Sequence, residues 1–216
     1  MHDPVTAVLY RSLSRHPRVS LALRYNRRGV GHSTGRVALW ADSDCLDLKA
    51  VCAHVAAVQS SSLQSSSTGD VPEADVHLWV VGYSWGAILA AHAACFEEVH
   101  GVICISPPAG FLARNVLHSH KHLMMLSLPN SAHKPKLVVT GTDDGIASVT
   151  SVRWLVNAVN KQLDRLQSDP GSDIGQQGSC SASVELVQLE ECLGATHFWT
   201  ERAHVKVLVN HVMQVL

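Results

Sequence analysis

Six cysteines are spread through 216 residues without a C-x-x-C pair, so the chain carries no local thiol motif. Cys95 and Cys104 lie in apolar segments, and with Cys45, Cys52, Cys180 and Cys192 they read as reduced thiols of an intracellular protein. No apolar run approaches the roughly 20 residues of a membrane span. The first residues lack the charged-then-apolar order of a secretion signal, and a cytoplasmic location is expected. Charge is scarce as well: 16% of residues are charged and the net charge is −1. That balance provides no electrostatic footprint for nucleic acid or for an anionic membrane surface. Neither G-x-x-x-x-G-K-[ST] nor G-x-G-x-x-G occurs, so a nucleotide site is not expected, and there are no internal repeats.

What is present is an apolar chain, 46% hydrophobic, long enough to bury one sizeable core and most simply a single domain. Asp3-Pro4 followed by Val5, Val8, Leu9 and Leu13 combines an N-cap, a proline at the first helical position and a helical stripe. Residues 19–25 alternate as a strand and run into the glycine-rich loop 27–35. A helix is expected over 39–58 with Leu46, Ala50, Val51, Ala53 and Val55 inward. The polar stretch 59–70 then reads as a flexible insertion. Strands are expected at 76–81, 99–105, 137–140 and 184–189. Helices are expected from Trp85 onward, over 148–166 with Val152, Leu155, Val156, Val159 and Leu163 buried, and over 201–215. Residues 167–183 read as a second flexible insertion, and Phe111, Leu112, Met124, Met125, Leu126 and Leu128 are available either to line a pocket or to pack as ordinary core. Strands alternating with helices predict an α/β fold with a doubly wound, mostly parallel sheet.

Gly82-Tyr83-Ser84-Trp85-Gly86 stands between an apolar strand and a helix-forming run. A bare G-x-S-x-G arises by chance in about one chain in fifteen of this size, so the strand-turn-helix context is what gives it meaning. A turn this tight holds Ser84 out at the sheet edge. Gly82 and Gly86 let strand and helix pass closely, and the new helix aims the Trp85 N–H at the place where an oxyanion would form. A serine hydroxyl needs an imidazole to take its proton and a carboxylate to orient that imidazole. Asp143 or Asp144 and His197 each follow an expected strand, as Ser84 does, and the carboxyl ends of strands are where such groups gather. Either aspartate can equally cap the following helix. The alternating histidines His118, His120 and His122 would share a face only on a strand. Their flanks are helix-like and hold no cysteine or carboxylate, so the sequence argues against a metal site there.

With these motifs the chain resembles the α/β-hydrolase superfamily over nearly its whole length. It looks closest to small capless members similar to dienelactone hydrolases and serine aminopeptidase-like esterases. Residues 25–33 match the R-G-x-G-x-S loop, 82–87 the nucleophile elbow, 106–108 the stretch after the next strand, and Gly194, His197 and Phe198 the G-x-x-H-F loop. In the G-x-x-D turn the carboxylate comes three residues after the glycine, which carries over to Asp144. The resemblance implies Ser84 as nucleophile, His197 as base, Asp144 as its partner and Trp85 as oxyanion donor, acting on a small ester or acyl substrate with no cofactor or metal. The expected function is hydrolysis of carboxylic esters, thioesters or amides through an acyl-enzyme. The alternative is a degenerate hydrolase-fold protein that binds a ligand or partner without turnover. Family members carry further strands before the opening helix, and the loop after one of them gives a second oxyanion donor. Here Met1 stands at the helix cap, so a hydrolase fold truncated at its N-terminus, poorly soluble and feeble as an esterase, is the expectation.

Overall fold

The computed structural model describes residues 3–65, 77–168 and 183–216. Helix α1 (Pro4–Leu13) begins as the sequence requires: the Asp3 carboxylate accepts from the N–H groups of Val5 and Thr6 at 3.3 and 2.7 Å, and Val5 and Leu9 are buried. The remaining main elements are α2 (Asp42–Ser65), β1 (Leu78–Tyr83), α3 (Trp85–Ala93), β2 (Val99–Ile105), α4 (Phe111–Val116), α5 (Ser119–Leu123), β3 (Lys136–Gly141), α6 (Val149–Ser168), β4 (Val187–Cys192) and α7 (Arg202–Val215). The four strands form one all-parallel sheet in the order β1-β2-β3-β4.

Side-chain alternation along the central strands sorts the core into two layers. Val102, Cys104 and Val138 face one side, where α2, α3 and α6 pack; Ile103, Ile105, Leu137 and Val139 face the other, against α1 and α7. Helices on both faces make the sheet doubly wound. All five residues expected to form the buried stripe of α6 are buried.

Several expectations are corrected. Residues 19–25 form no strand, and Leu21, Leu23 and Tyr25 are exposed by 51%, 57% and 41%. Alternation supplies the side chains of a strand, but a strand exists only when its backbone groups find a partner. Among the described residues, β1 pairs with β2 alone. Accordingly Leu78–Val81 are half-buried rather than enclosed on both faces. Helix α2 begins three residues later than expected and, apart from Val55, turns a different face inward. Ala41, Cys45, Leu48, Cys52 and Val55 are buried, whereas Leu46 is 69% exposed and Ala50 and Ala53 are exposed. The helical spacing was present, but its inward positions are held by cysteines as well as by aliphatic residues. Strand β4 lies three residues beyond the expected segment because β3 sets its extent, pairing Lys136 with Val187 and Gly141 with Cys192. Asn160 pins its start, donating to Val187 O at 3.1 Å and accepting from Val187 N–H at 2.8 Å. Of the two segments read as flexible insertions, residues 59–65 belong to α2 and 167–168 to α6; 66–70 and 169–182 lie outside the described residues. Leu126 is buried and Met124 packs against the core, while Phe111 and Leu112 on α4 are exposed.

Candidate active site

The turn between β1 and α3 is as sharp as G-x-S-x-G requires. Ser84 has φ 53° and ψ −114°, a backbone region that non-glycine residues occupy only when the surrounding structure holds them there. Two backbone bonds do so: Ser84 N–H donates to Ile105 O and Ala87 N–H donates to Ser84 O, both at 2.9 Å. The two glycines are not equivalent. A Cβ on Gly82 would stand 2.0 Å from Gly86 O, whereas a Cβ on Gly86 would meet nothing within 4 Å. Gly82 is therefore the residue that lets strand and helix cross. Trp85, the first residue of α3, has no acceptor for its N–H inside the helix.

Three strand ends converge at Ser84. Its Oγ lies 2.9 Å from Nε2 of His197, and Nδ1 of His197 faces both oxygens of Asp144, at 3.0 and 2.9 Å. Asp144 and His197 are 4% and 5% exposed, while Asp143 is exposed to solvent and faces Thr142. The loops carrying the two groups are tied together: Asp143 N–H donates to Ala195 O at 3.1 Å and Gly194 N–H to Thr142 Oγ1 at 2.8 Å. Asp144 also serves the local turn, its Oδ1 accepting from Ile146 N–H at 2.9 Å and Ala147 N–H at 2.6 Å. The cap-like role and the histidine contact thus belong to one carboxylate. Burial by itself would raise the Asp144 carboxyl, but hydrogen bonds from His197, Ala147 and Ile146 and the nearby imidazole hold it below the usual carboxylate range.

Some contributors were not singled out in the sequence. Tyr83 sends its hydroxyl to the carbonyl of His197 at 2.7 Å, and burial followed by the charges of Asp3 and Asp144 pushes it up to about 12. The buried Asp44 carboxylate accepts from Trp85 Nε1 at 3.1 Å and pairs with Arg27 at 2.8 Å, and Arg27 also lies over the Trp85 ring, 4.8 Å from its centroid. The loop 27–35 is thereby fastened to the residue beside Ser84. Its glycines answer to backbone geometry, as at Gly29, where φ is 69° and a Cβ would stand 2.5 Å from Val37 N. An aspartate inside a helix and an arginine in a glycine-rich loop carry no local signal of such pairing.

The model of the alpha/beta hydrolase family matches residues 3–207. The chain belongs to the α/β-hydrolase family. This places it among hydrolases, in a fold shared with several solved structures. An α/β serine hydrolase homologue from Coxiella burnetii is 23% identical with a TM-score of 0.63, over 100% of this chain and 77% of that one. An α/β serine hydrolase without lid from Xanthomonas campestris is 22% identical with a TM-score of 0.58, over 99% and 72%. An esterase of Butyrivibrio proteoclasticus, solved with ferulic acid bound, is 15% identical with a TM-score of 0.59, over 99% and 82%. No curated protein matches the sequence. None of the described helices of this α/β hydrolase is long and apolar enough to cross a membrane.

Proposed function

We propose that this α/β hydrolase is a serine esterase, cleaving small carboxylic esters, with thioesters and amides as neighbouring acyl substrates, through an acyl-enzyme intermediate. The observation that carries the reading is the continuous contact from Ser84 Oγ through His197 to Asp144. With Nδ1–H directed at the Asp144 carboxylate, Nε2 of His197 is left as an acceptor for the Ser84 hydroxyl proton. Ser84 Oγ then attacks the acyl carbon. The negative charge that develops on the carbonyl oxygen is met by the Trp85 N–H and the positive end of α3. His197 returns its proton to the departing alcohol, and a water activated by the same Nε2 releases the acid and restores Ser84. Asp144 stabilises the imidazolium formed on the way. Tyr83 positions His197 through its backbone carbonyl.

Exposed Ile146 and Phe198 are sequence neighbours of Asp144 and His197 and give the rim of the site an apolar character, which favours an uncharged organic acyl or leaving group. The described cysteines are all free thiols, which fits a reducing compartment such as the cytoplasm. Labelling by a fluorophosphonate probe tests the reading without knowledge of the substrate: wild type takes the label and Ser84→Ala does not. A panel of short- to long-chain nitrophenyl esters then ranks acyl groups. Absence of both labelling and turnover in the folded protein would leave a binding module on a hydrolase fold.

A further inference from the structure

Three side chains with no part in the ester chemistry meet among α2, α3 and α5. Cys45 comes from the first turn of α2, His92 from the last turn of α3 and His122 from α5. Nδ1 of His122 lies 3.8 Å from Cys45 Sγ and 3.1 Å from Nδ1 of His92, and one ligand atom from each residue falls within 4.8 Å of the others. Cys45 and His122 are 3% and 1% exposed, and His92 is half-buried.

Hydrogen bonding among the three accounts poorly for this convergence. Nδ1 of His122 faces both neighbours, yet a neutral imidazole nitrogen offers either one proton or one lone pair. Whichever it offers, one of the two contacts lacks a good complement. A cation at the shared point would accept all three lone pairs at once. Zn–N bonds of about 2.05 Å and Zn–S of about 2.3 Å in a tetrahedron put ligand nitrogens about 3.3 Å apart and nitrogen and sulfur about 3.6 Å apart. The observed 3.1 and 3.8 Å lie close to both. On the far side, Nε2 of His122 is 3.9 Å from Asp42 Oδ1, beyond hydrogen-bond distance, and that oxygen is held by Lys121 at 2.7 Å.

We infer that Cys45, His92 and His122 form a binding site for one soft divalent cation of the zinc type, with solvent in the fourth position. The donor set of one thiolate and two imidazoles suits zinc rather than magnesium or calcium. Binding releases the Cys45 thiol proton to solvent as the Zn–S bond forms. His92 stands eight residues beyond Ser84, roughly 12 Å along α3 at 1.5 Å per residue, so the cation lies apart from the ester site and ties the elbow helix to α2 and α5.

The sequence argues against a metal site at residues 118–122, where alternating histidines on helix-like flanks share no face and neither carboxylate nor cysteine is near; of these histidines only His122 enters the cluster. The cysteine arrives from 77 residues away, and the second histidine from α3.

Titration of the metal-free wild-type chain with cobalt(II) tests the site. The expected result is saturation at one equivalent with a sulfur-to-cobalt charge-transfer band, displacement of that band by zinc, and a rise of several degrees in melting temperature with zinc. Cys45→Ser should abolish the band and His92→Gln should weaken binding at least tenfold. Cys52→Ser, on the same buried stripe of α2, and Ser84→Ala should titrate as wild type. No charge-transfer band in wild type overturns the inference, and needs no variant to fold. A band that survives in Cys45→Ser overturns it too, since another thiol would then hold the metal. The Ser84→Ala titration keeps this outcome separate from that of the esterase reading.

Discussion

The hydroxyl of Tyr83 donates to the backbone carbonyl of His197 at 2.7 Å, joining the last residue of β1 to the loop that follows β4, 114 positions further along the chain. The bond fixes the height of the imidazole over the elbow without touching the ring nitrogens. A neutral hydrogen bond of this kind contributes about 1 kcal/mol. Tyr83→Phe is therefore expected to lower kcat by about fivefold and to leave KM near its wild-type value, as read from nitrophenyl ester kinetics. A change confined to KM would show that Tyr83 contacts substrate instead of positioning His197.

Ser84→Ala should remove ester turnover and fluorophosphonate labelling together. Asp144→Asn should lower kcat by about 10⁴, the scale seen when the orienting carboxylate of such a triad is replaced by an amide. Asp143→Asn should stay within about twofold of wild type, because its exposed side chain faces Thr142 and a surface change of this kind has little effect. Equal losses from the two aspartate variants would mean that the contact between His197 and Asp144 does not operate in catalysis.

Gly82 and Gly86 should part company. Gly82→Ala drives a methyl group into Gly86 O, 2.0 Å away, and is expected to cost about 3 kcal/mol, at the upper end of overpacking effects. In a chain of this size that corresponds to a fall of about 6 to 12 °C in melting temperature. Gly86→Ala meets nothing within 4 Å and replaces a poor helix former in the first turn of α3, so its melting temperature should match or exceed that of wild type. Calorimetry of the two variants decides the point.

Acid should remove a contribution that Asp144 makes to the fold. Its folded carboxyl lies below the unfolded value of about 3.9, so the stability it supplies is fully present above that value and is lost as pH falls through the folded one. The difference in unfolding free energy between wild type and Asp144→Asn should accordingly shrink as pH is lowered from about 6 toward 2. A difference that stays constant over that range would place the effect of the substitution in packing rather than in the charge.

Much of this molecule is decided locally. The cap at Asp3, the strand 99–105, the buried stripe of α6 and the strand-turn-helix around Ser84 follow from side-chain period, capping chemistry and glycine placement, which act over a few residues. The order of Ser84, Asp144 and His197 was legible for the same reason: each follows a strand, and parallel strands deliver their carboxyl ends to one edge of the sheet. Other features required the fold. The segment 19–25 has the alternation of a strand but finds no partner, and β4 takes its limits from β3. The inward face of α2 is chosen by what α3 and α5 present to it, and the same packing brings Cys45, His92 and His122 to one point. The Asp44, Arg27 and Trp85 contacts arise in the same way, from residues whose own surroundings give no sign of one another. Period and propensity are properties of neighbouring residues, whereas pairing, facing and ligation depend on groups that only the closed chain brings within a few ångströms.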